Sequence, residues 1–189
     1  MIRTITKNLL NCKTISVILL LCWVLGLSSV AVNAIASPNT QIYTITTPSG
    51  TMVDYAFLVT GEFSQTDIDQ ANSYQDSAYP NAIRQRSATG KYNCHSYAWY
   101  STSSSNNIWI HYNLYYTSDP YYSIVAIGDR FFIPILTPIG SKVNYPSDGH
   151  SAIVYSSSKL ISKWGDYGLY IHAPGYCPYP SSTSLGYYN

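Results

Sequence analysis

The sequence predicts an α+β fold in which a helix packs on an antiparallel sheet. Three observations lead there. A mixed segment of strands and one helix occupies residues 42–78, and a short helix headed by a cysteine follows near residue 94. Three strand candidates then succeed one another through short linkers, which favours consecutive antiparallel pairing. No internal repeat points to a solenoid instead.

The first stretch is a targeting signal. Arg3, Lys7 and Lys13 precede an apolar run over residues 15–27, and an Ala34-Ile35-Ala36 triplet follows. Basic residues, a short apolar run and a small-residue site make a secretory signal peptide over residues 1–36, cut near Ala34 or Ala36. The run is shorter than the roughly 20 residues a spanning helix needs, so no stable membrane span is expected after its removal. Three of the ten basic residues and none of the nine acidic ones lie in this leader, so the formal charge moves from +1 to −2. Such a chain carries no basic stripe and is not expected to bind nucleic acid.

Residues 42–60 alternate β-branched and aromatic side chains around Thr47-Pro48-Ser49-Gly50-Thr51, which reads as two strands and a turn. Ser64 is an N-cap for a helix over 65–78, with Asp67 and Asp69 in its first turn and Tyr79-Pro80 beyond its end. Ile68, Ala71, Tyr74 and Ala78 give this helix its expected apolar face. Residues 101–107 are a Ser/Thr/Asn loop. Gly128-Asp129 precedes an apolar run over 131–135, where Pro134 argues for an edge strand or a bulge. Residues 137–149, with two Pro and two Gly, read as a surface loop. Strands are expected over 150–155, 160–164 and 168–172.

Chemistry concentrates in Tyr92-Asn93-Cys94-His95-Ser96-Tyr97-Ala98-Trp99. Asn93 is a good helix N-cap, which places the Cys94 thiol in a first turn extending to about residue 101. The helix dipole and unpaired N–H groups there favour thiolate, and lower a pKa of roughly 8.5 toward neutrality. A nucleophile of this kind needs a histidine from elsewhere in the chain, and His150 opens a strand. Cys177, in Pro174-Gly175-Tyr176-Cys177-Pro178, is the other cysteine of the mature chain, and an exported protein offers the alternative of a Cys94–Cys177 disulfide. His95 and His111 read as structural or surface residues, and Asp129 as a turn residue. No pair of Cys or His has zinc-ligand spacing, so neither metal nor cofactor is expected. Twenty tyrosines with few charges suit contact with a sugar or peptide polymer.

Together, the Tyr92–Trp99 block, Gly128-Asp129-Arg130-Phe131-Phe132 and Gly149-His150-Ser151-Ala152-Ile153-Val154 resemble the NlpC-like and CHAP-like branch of papain-fold cell-wall hydrolases, over residues 92–165. The resemblance implies a papain-like (NlpC-type) α+β fold with the catalytic helix packed on an antiparallel sheet. It also implies a bacterial cysteine peptidase or amidase acting on cell-wall peptide. In that scheme Cys94 attacks the carbonyl and His150 shuttles the proton. The Cys94 backbone N–H binds the oxyanion, and the residue that orients the histidine falls on Ser162. His172 is the chemically better partner but belongs one strand further on, toward the far end of the sheet. The domain plan is then a leader (1–36), N-terminal strands and helix that are either fold or prosegment (37–90), a catalytic domain (91–180) and a tail (181–189). The alternative is a non-catalytic glycan-binding module of the same fold with the two cysteines bridged.

Overall fold

A computed structural model describes residues 39–189; the leader lies outside the described residues. The opening segment forms β1 (Thr40–Ile42), β2 (Ile45–Thr46), β3 (Met52–Val53) and β4 (Ala56–Val59). The expected turn between β2 and β3 is present: the Thr47 N–H bonds the Thr51 carbonyl at 2.9 Å, with Gly50 at φ +88°. Helix α1 (Gln65–Ala78) has the bounds the sequence predicts, and the Ser64 hydroxyl accepts the Asp67 N–H at 3.2 Å. Its buried face is different. Asn72 and Gln75 are buried, whereas Tyr74 is exposed. The reason is a tie to the next segment: the Asn72 side-chain carbonyl accepts the Ala88 N–H at 2.8 Å, which turns the helix toward that loop.

After α1 come β5 (Ile83–Arg86), a π-helical segment (Ser96–Tyr100), β6 (Ile108–Ile110) and the single turn α2 (Leu114–Thr117). The remainder is strand: β7 (Ile124–Asp129), β8 (Lys142–Tyr145), β9 (His150–Ser156), β10 (Lys159–Lys163), β11 (Leu169–His172) and β12 (Ser184–Tyr188). Seven strands form one sheet in the order β5-β11-β10-β9-β8-β12-β7, with every pairing antiparallel. A smaller sheet has the order β1-β4-β6. Residues before 90 therefore supply strands to both of these sheets, and β2 pairs with β3 in a third, two-stranded one.

Three expectations change here. The 131–135 run is not a strand; the chain leaves the sheet after Asp129, and the Pro134 ring sits where a Cβ on Gly128 would be, 2.6 Å away. The 137–149 stretch contains β8, whose Val143 and Tyr145 alternate inward. The tail contains β12, inserted between β8 and β7 with Leu185 and Tyr187 fully buried.

Strand alternation gives the large sheet two working faces. Ile153, Ile161 and Leu169 pack with Tyr97, Ala98 and Trp99 of the π-helical segment. Ala152, Val154, Leu160, Trp164 and Tyr170 form a second core, to which Tyr79 and the C-terminal Tyr179 add their rings. Burying these side chains supplies the main stabilisation of both layers.

Candidate active site

Asn93 fixes the turn that carries the cysteine. Its side-chain oxygen accepts the Ser96 N–H at 3.1 Å and its amide donates to the Ile110 carbonyl at 2.6 Å. The helix expected over 94–101 is present: it opens with α-helical residues Cys94 and His95, with the Tyr97 N–H on the Asn93 carbonyl at 2.9 Å, and continues as the π-helical segment, which closes through Ser101 N–H to the Ser96 carbonyl at 2.9 Å. His95 is a structural tie. Ser151 Oγ accepts the Trp99 indole N–H at 2.8 Å and the Asn113 amide at 3.1 Å, so its proton goes to His95 Nδ1, 2.8 Å away. That bond fixes the Nε2–H tautomer of His95, and the Gly149 backbone lies against the ring. The residues on both sides of His150 are thereby pinned.

Cys94 is a buried free thiol. Burial pushes it up to about 11, whereas the backbone amides of Ser151, His95 and Cys94 itself and the Lys163 ammonium act in the opposite direction. The expected fall toward neutrality is therefore overturned. Desolvation of the fully buried thiol outweighs the amides at the helix start.

Lys163 is the residue that sequence reading missed. It is fully buried on the helix-facing side of β10 and donates to the Thr89 carbonyl at 2.9 Å and the Gly165 carbonyl at 2.6 Å. Its ammonium also lies 5.2 Å from the centre of the Tyr92 ring. Burial lowers its pKa to about 7, against the pull of Asp166, Cys94 and Glu62. It ties the loop leading into Cys94 to the end of β10. The signal available was weak: a lysine in Ser162-Lys163-Trp164, at a position where alternation points inward.

His150 begins β9 and is fully buried, and neither ring nitrogen has a hydrogen-bond partner. No hydrogen bond joins it to the Cys94 thiol. The Tyr179 ring stacks on the imidazole at 3.6 Å and 11°, and Tyr145 meets it edge-on at 5.0 Å. Burial, with His95 and His172 nearby, holds its pKa well below the ordinary value. Ser162 does not orient it. The Ser162 hydroxyl accepts the Trp164 indole N–H at 2.9 Å and lies 2.9 Å from His172 Nε2. His172 is fixed on its other side by the Ala173 carbonyl at 2.9 Å. The register sets His172 across from Leu160, itself across from Val154, four residues along β9 from His150. Ser162 and His172 are thus brought together, but as their own pair.

Cys177 is also a free buried thiol, in the core on the other face of the sheet, so the disulfide alternative is not the arrangement found. The Tyr145 hydroxyl lies beside it without forming a hydrogen bond. A cavity of ≈ 360 Å³ opens at the end of β10, lined by Phe63, Trp164, Gly165, Asp166, Pro178 and Tyr179. Tyr179 belongs both to its wall and to the stack over His150. His111 lies on a second cavity of ≈ 350 Å³ with Trp109 and Asp166. Among the described residues no group of three Cys, His, Asp or Glu side chains is placed to hold a metal ion, and no helix is long and apolar enough to cross a membrane. No protein-family model, curated protein or solved structure matches the chain.

Proposed function

We propose that the protein is a secreted cysteine hydrolase of papain-like, NlpC-type fold, a peptidase or amidase that cleaves amide bonds of cell-wall peptide through Cys94 and His150. The observation that carries this reading is the buried imidazole of His150, with two orphaned nitrogens, beginning the same strand whose Ser151 amide faces the Cys94 thiol. Leaving such a group unpaired costs about 1–3 kcal/mol, and a cost of that size calls for a use.

In the reaction His150 accepts the thiol proton as Cys94 Sγ attacks the carbonyl carbon. The amide π electrons move to oxygen, and the Cys94 backbone N–H stabilises the resulting oxyanion. Collapse of the intermediate breaks the C–N bond, with the His150 proton passing to the leaving amine. Water, activated by the same imidazole, then releases the acyl group. Lys163 favours the thiolate by its charge and holds the Cys94 loop to β10. The cavity beside Tyr179 is the substrate cleft of this reading, and its aromatic walls suit a peptide or glycan polymer. Substrate entry moves the Tyr179 ring off His150.

The test is incubation of wild type and Cys94→Ala with purified peptidoglycan sacculi. Release of free amines by wild type and its absence in the variant is the expected result. Equal release by both, or none by wild type from sacculi of several cross-link chemistries, removes the reading.

A further inference from the structure

The small sheet β1-β4-β6 has one face in the core and one that is open. Ala56, Leu58, Ile108 and Ile110 pack with the π-helical segment, so alternation turns Phe57 and Trp109 to the other side. Phe57 and Trp109 are direct partners across β4 and β6, and both are half-buried. With Thr40, Val59, Gly90, His111 and Asp166 they line the cavity of ≈ 350 Å³. That volume lies at the small end of the roughly 300–1,000 Å³ usual for small-molecule sites, with room for a short saccharide.

The polar side chains around this cavity have not found partners within the fold. Eight of the nine acidic side chains accept a hydrogen bond, but the Asp166 carboxylate accepts none among the described residues. The indoles of Trp99 and Trp164 donate to Ser151 and Ser162, whereas the Trp109 indole has no acceptor among the described residues. The same holds for the His111 imidazole, which Tyr112 meets edge-on at 4.3 Å, and for the Thr40 hydroxyl. The wall that carries Asp166 is nevertheless fixed. The Thr89 N–H bonds the Asp166 carbonyl at 3.0 Å, and the Lys163 ammonium joins the Thr89 and Gly165 carbonyls. A rigid wall holding an unused carboxylate lowers the ordering cost of a ligand.

These features select the ligand. Two aromatic rings side by side on a sheet face offer a platform to a flat apolar surface, and the polar groups at its border suit hydroxyls. A pyranose with equatorial hydroxyls has that form: its C–H groups make flat faces and its hydroxyls radiate from the edge. No Lys or Arg lines the cavity, and Asp166 repels an acidic ligand. A quaternary ammonium is held by rings that enclose it, whereas Phe57 and Trp109 share one face. A peptide added to a sheet takes backbone hydrogen bonds from a strand edge, whereas β4 is paired on both sides.

We propose that the cavity on the open face of the small sheet binds a neutral saccharide with equatorial hydroxyls, stacked on Trp109 and Phe57 and donating hydroxyl hydrogen bonds to Asp166. The site contains neither Cys94 nor His150, so it does not depend on the hydrolytic reading. Asp166 also lines the cavity beside Tyr179, which sets a sugar bound here at the rim of that cleft.

The test is calorimetric titration of the full chain with cellotetraose and with chitotetraose. Wild type is expected to bind at least one of them with a Kd below about 1 mM. Trp109→Ala and Asp166→Ala are each expected to weaken that binding about tenfold, and Trp109→Phe, which keeps a ring face, less than about threefold. Asp166 is exposed, so Asp166→Ala carries the test where Trp109→Ala lowers the urea midpoint. The titration needs no hydrolysis, so its failure and failure of the sacculus digestion are distinguishable. Binding of neither saccharide, or binding that survives both alanine substitutions unchanged, overturns the proposal. So does tighter binding of tetragalacturonate, trialanine or tetramethylammonium, which identifies an acidic sugar, a peptide or a cation as the occupant.

Discussion

Ser151 and His150 are neighbours in one strand, and they face opposite sides of the sheet. On the Ser151 side the hydroxyl is fully engaged: it serves Trp99, Asn113 and His95 within 2.8–3.1 Å. On the His150 side the imidazole has no hydrogen bond and lies under the Tyr179 ring at 3.6 Å. Both residues are fully buried. Strand alternation alone separates a polar group that holds the fold together from one the fold holds without using. A satisfied buried network rigidifies its surroundings, whereas an unsatisfied one is retained against its own cost. Function is therefore to be sought on the unsatisfied side, with the network as its frame.

Acid is the largest perturbation of that frame. His95 and His172 are held by burial at about 4, below the roughly 6.5 of an unfolded chain. The unfolded state binds protons first, so stability is lost as pH falls through about 6.5 and continues to fall until about 4. Between pH 7 and pH 5 each residue removes about 2 kcal/mol, and His150, held well below its ordinary value by burial, removes at least as much, roughly 6 kcal/mol in all. Urea unfolding at pH 7, 6 and 5 checks this, and His172→Gln is expected to remove about a third of the slope. A midpoint that does not move with pH would show that these imidazoles are protonated in the fold.

Ser151→Ala attacks the network directly. It strands the indole of Trp99 and His95 Nδ1 in the interior, while the half-buried Asn113 amide keeps its bond to Asn144, and is expected to lower stability by roughly 3 kcal/mol. The matching change on the other face is Tyr179→Ala, expected to cost about 2 kcal/mol, since the ring is only partly buried. Its informative effect is on access. Modification of His150 by diethylpyrocarbonate should rise at least about tenfold, while His95, behind its intact network, stays protected. Tyr179→Phe keeps the stack and should keep both protected. Peptide mapping reads the two histidines separately.

The sequence displayed parts of this contrast and concealed others. Helix α1 and strands β9, β10 and β11 were legible because capping residues and apolar alternation are local signals. Strand β12 was hidden by its place after a Pro-rich stretch, and β8 by its Pro- and Gly-bearing surroundings. The face of α1 was misjudged because Asn72 is buried for one long-range hydrogen bond, which no periodicity reveals. At the site, the motif singled out Cys94 and His150, but it could not say that burial would raise the thiol. Nor could it say that Ser162 would be taken by His172 and Trp164. Lys163 and Tyr179 escaped notice because each acts across more than ten residues of chain, through geometry that only the sheet creates.

The smallest expected effect is the sharpest test of the contrast. His150→Leu replaces an imidazole without hydrogen bonds by an apolar side chain of similar bulk, so no partner is orphaned and the unpaired ring nitrogens disappear from the core. What is lost is the Tyr179 stack, of order 1 kcal/mol; what is gained is relief from burying two unsatisfied nitrogens, of the same order. The unfolding midpoint is therefore expected to stay within about 1 kcal/mol of wild type, whereas on the proposed function the hydrolysis of sacculi is expected to stop. Urea denaturation and sacculus digestion on the same preparation measure both. A drop of 3 kcal/mol or more, like that expected at Ser151, would show that His150 is tied into the fold as firmly as its neighbour. The distinction between the two faces of the strand would then fail.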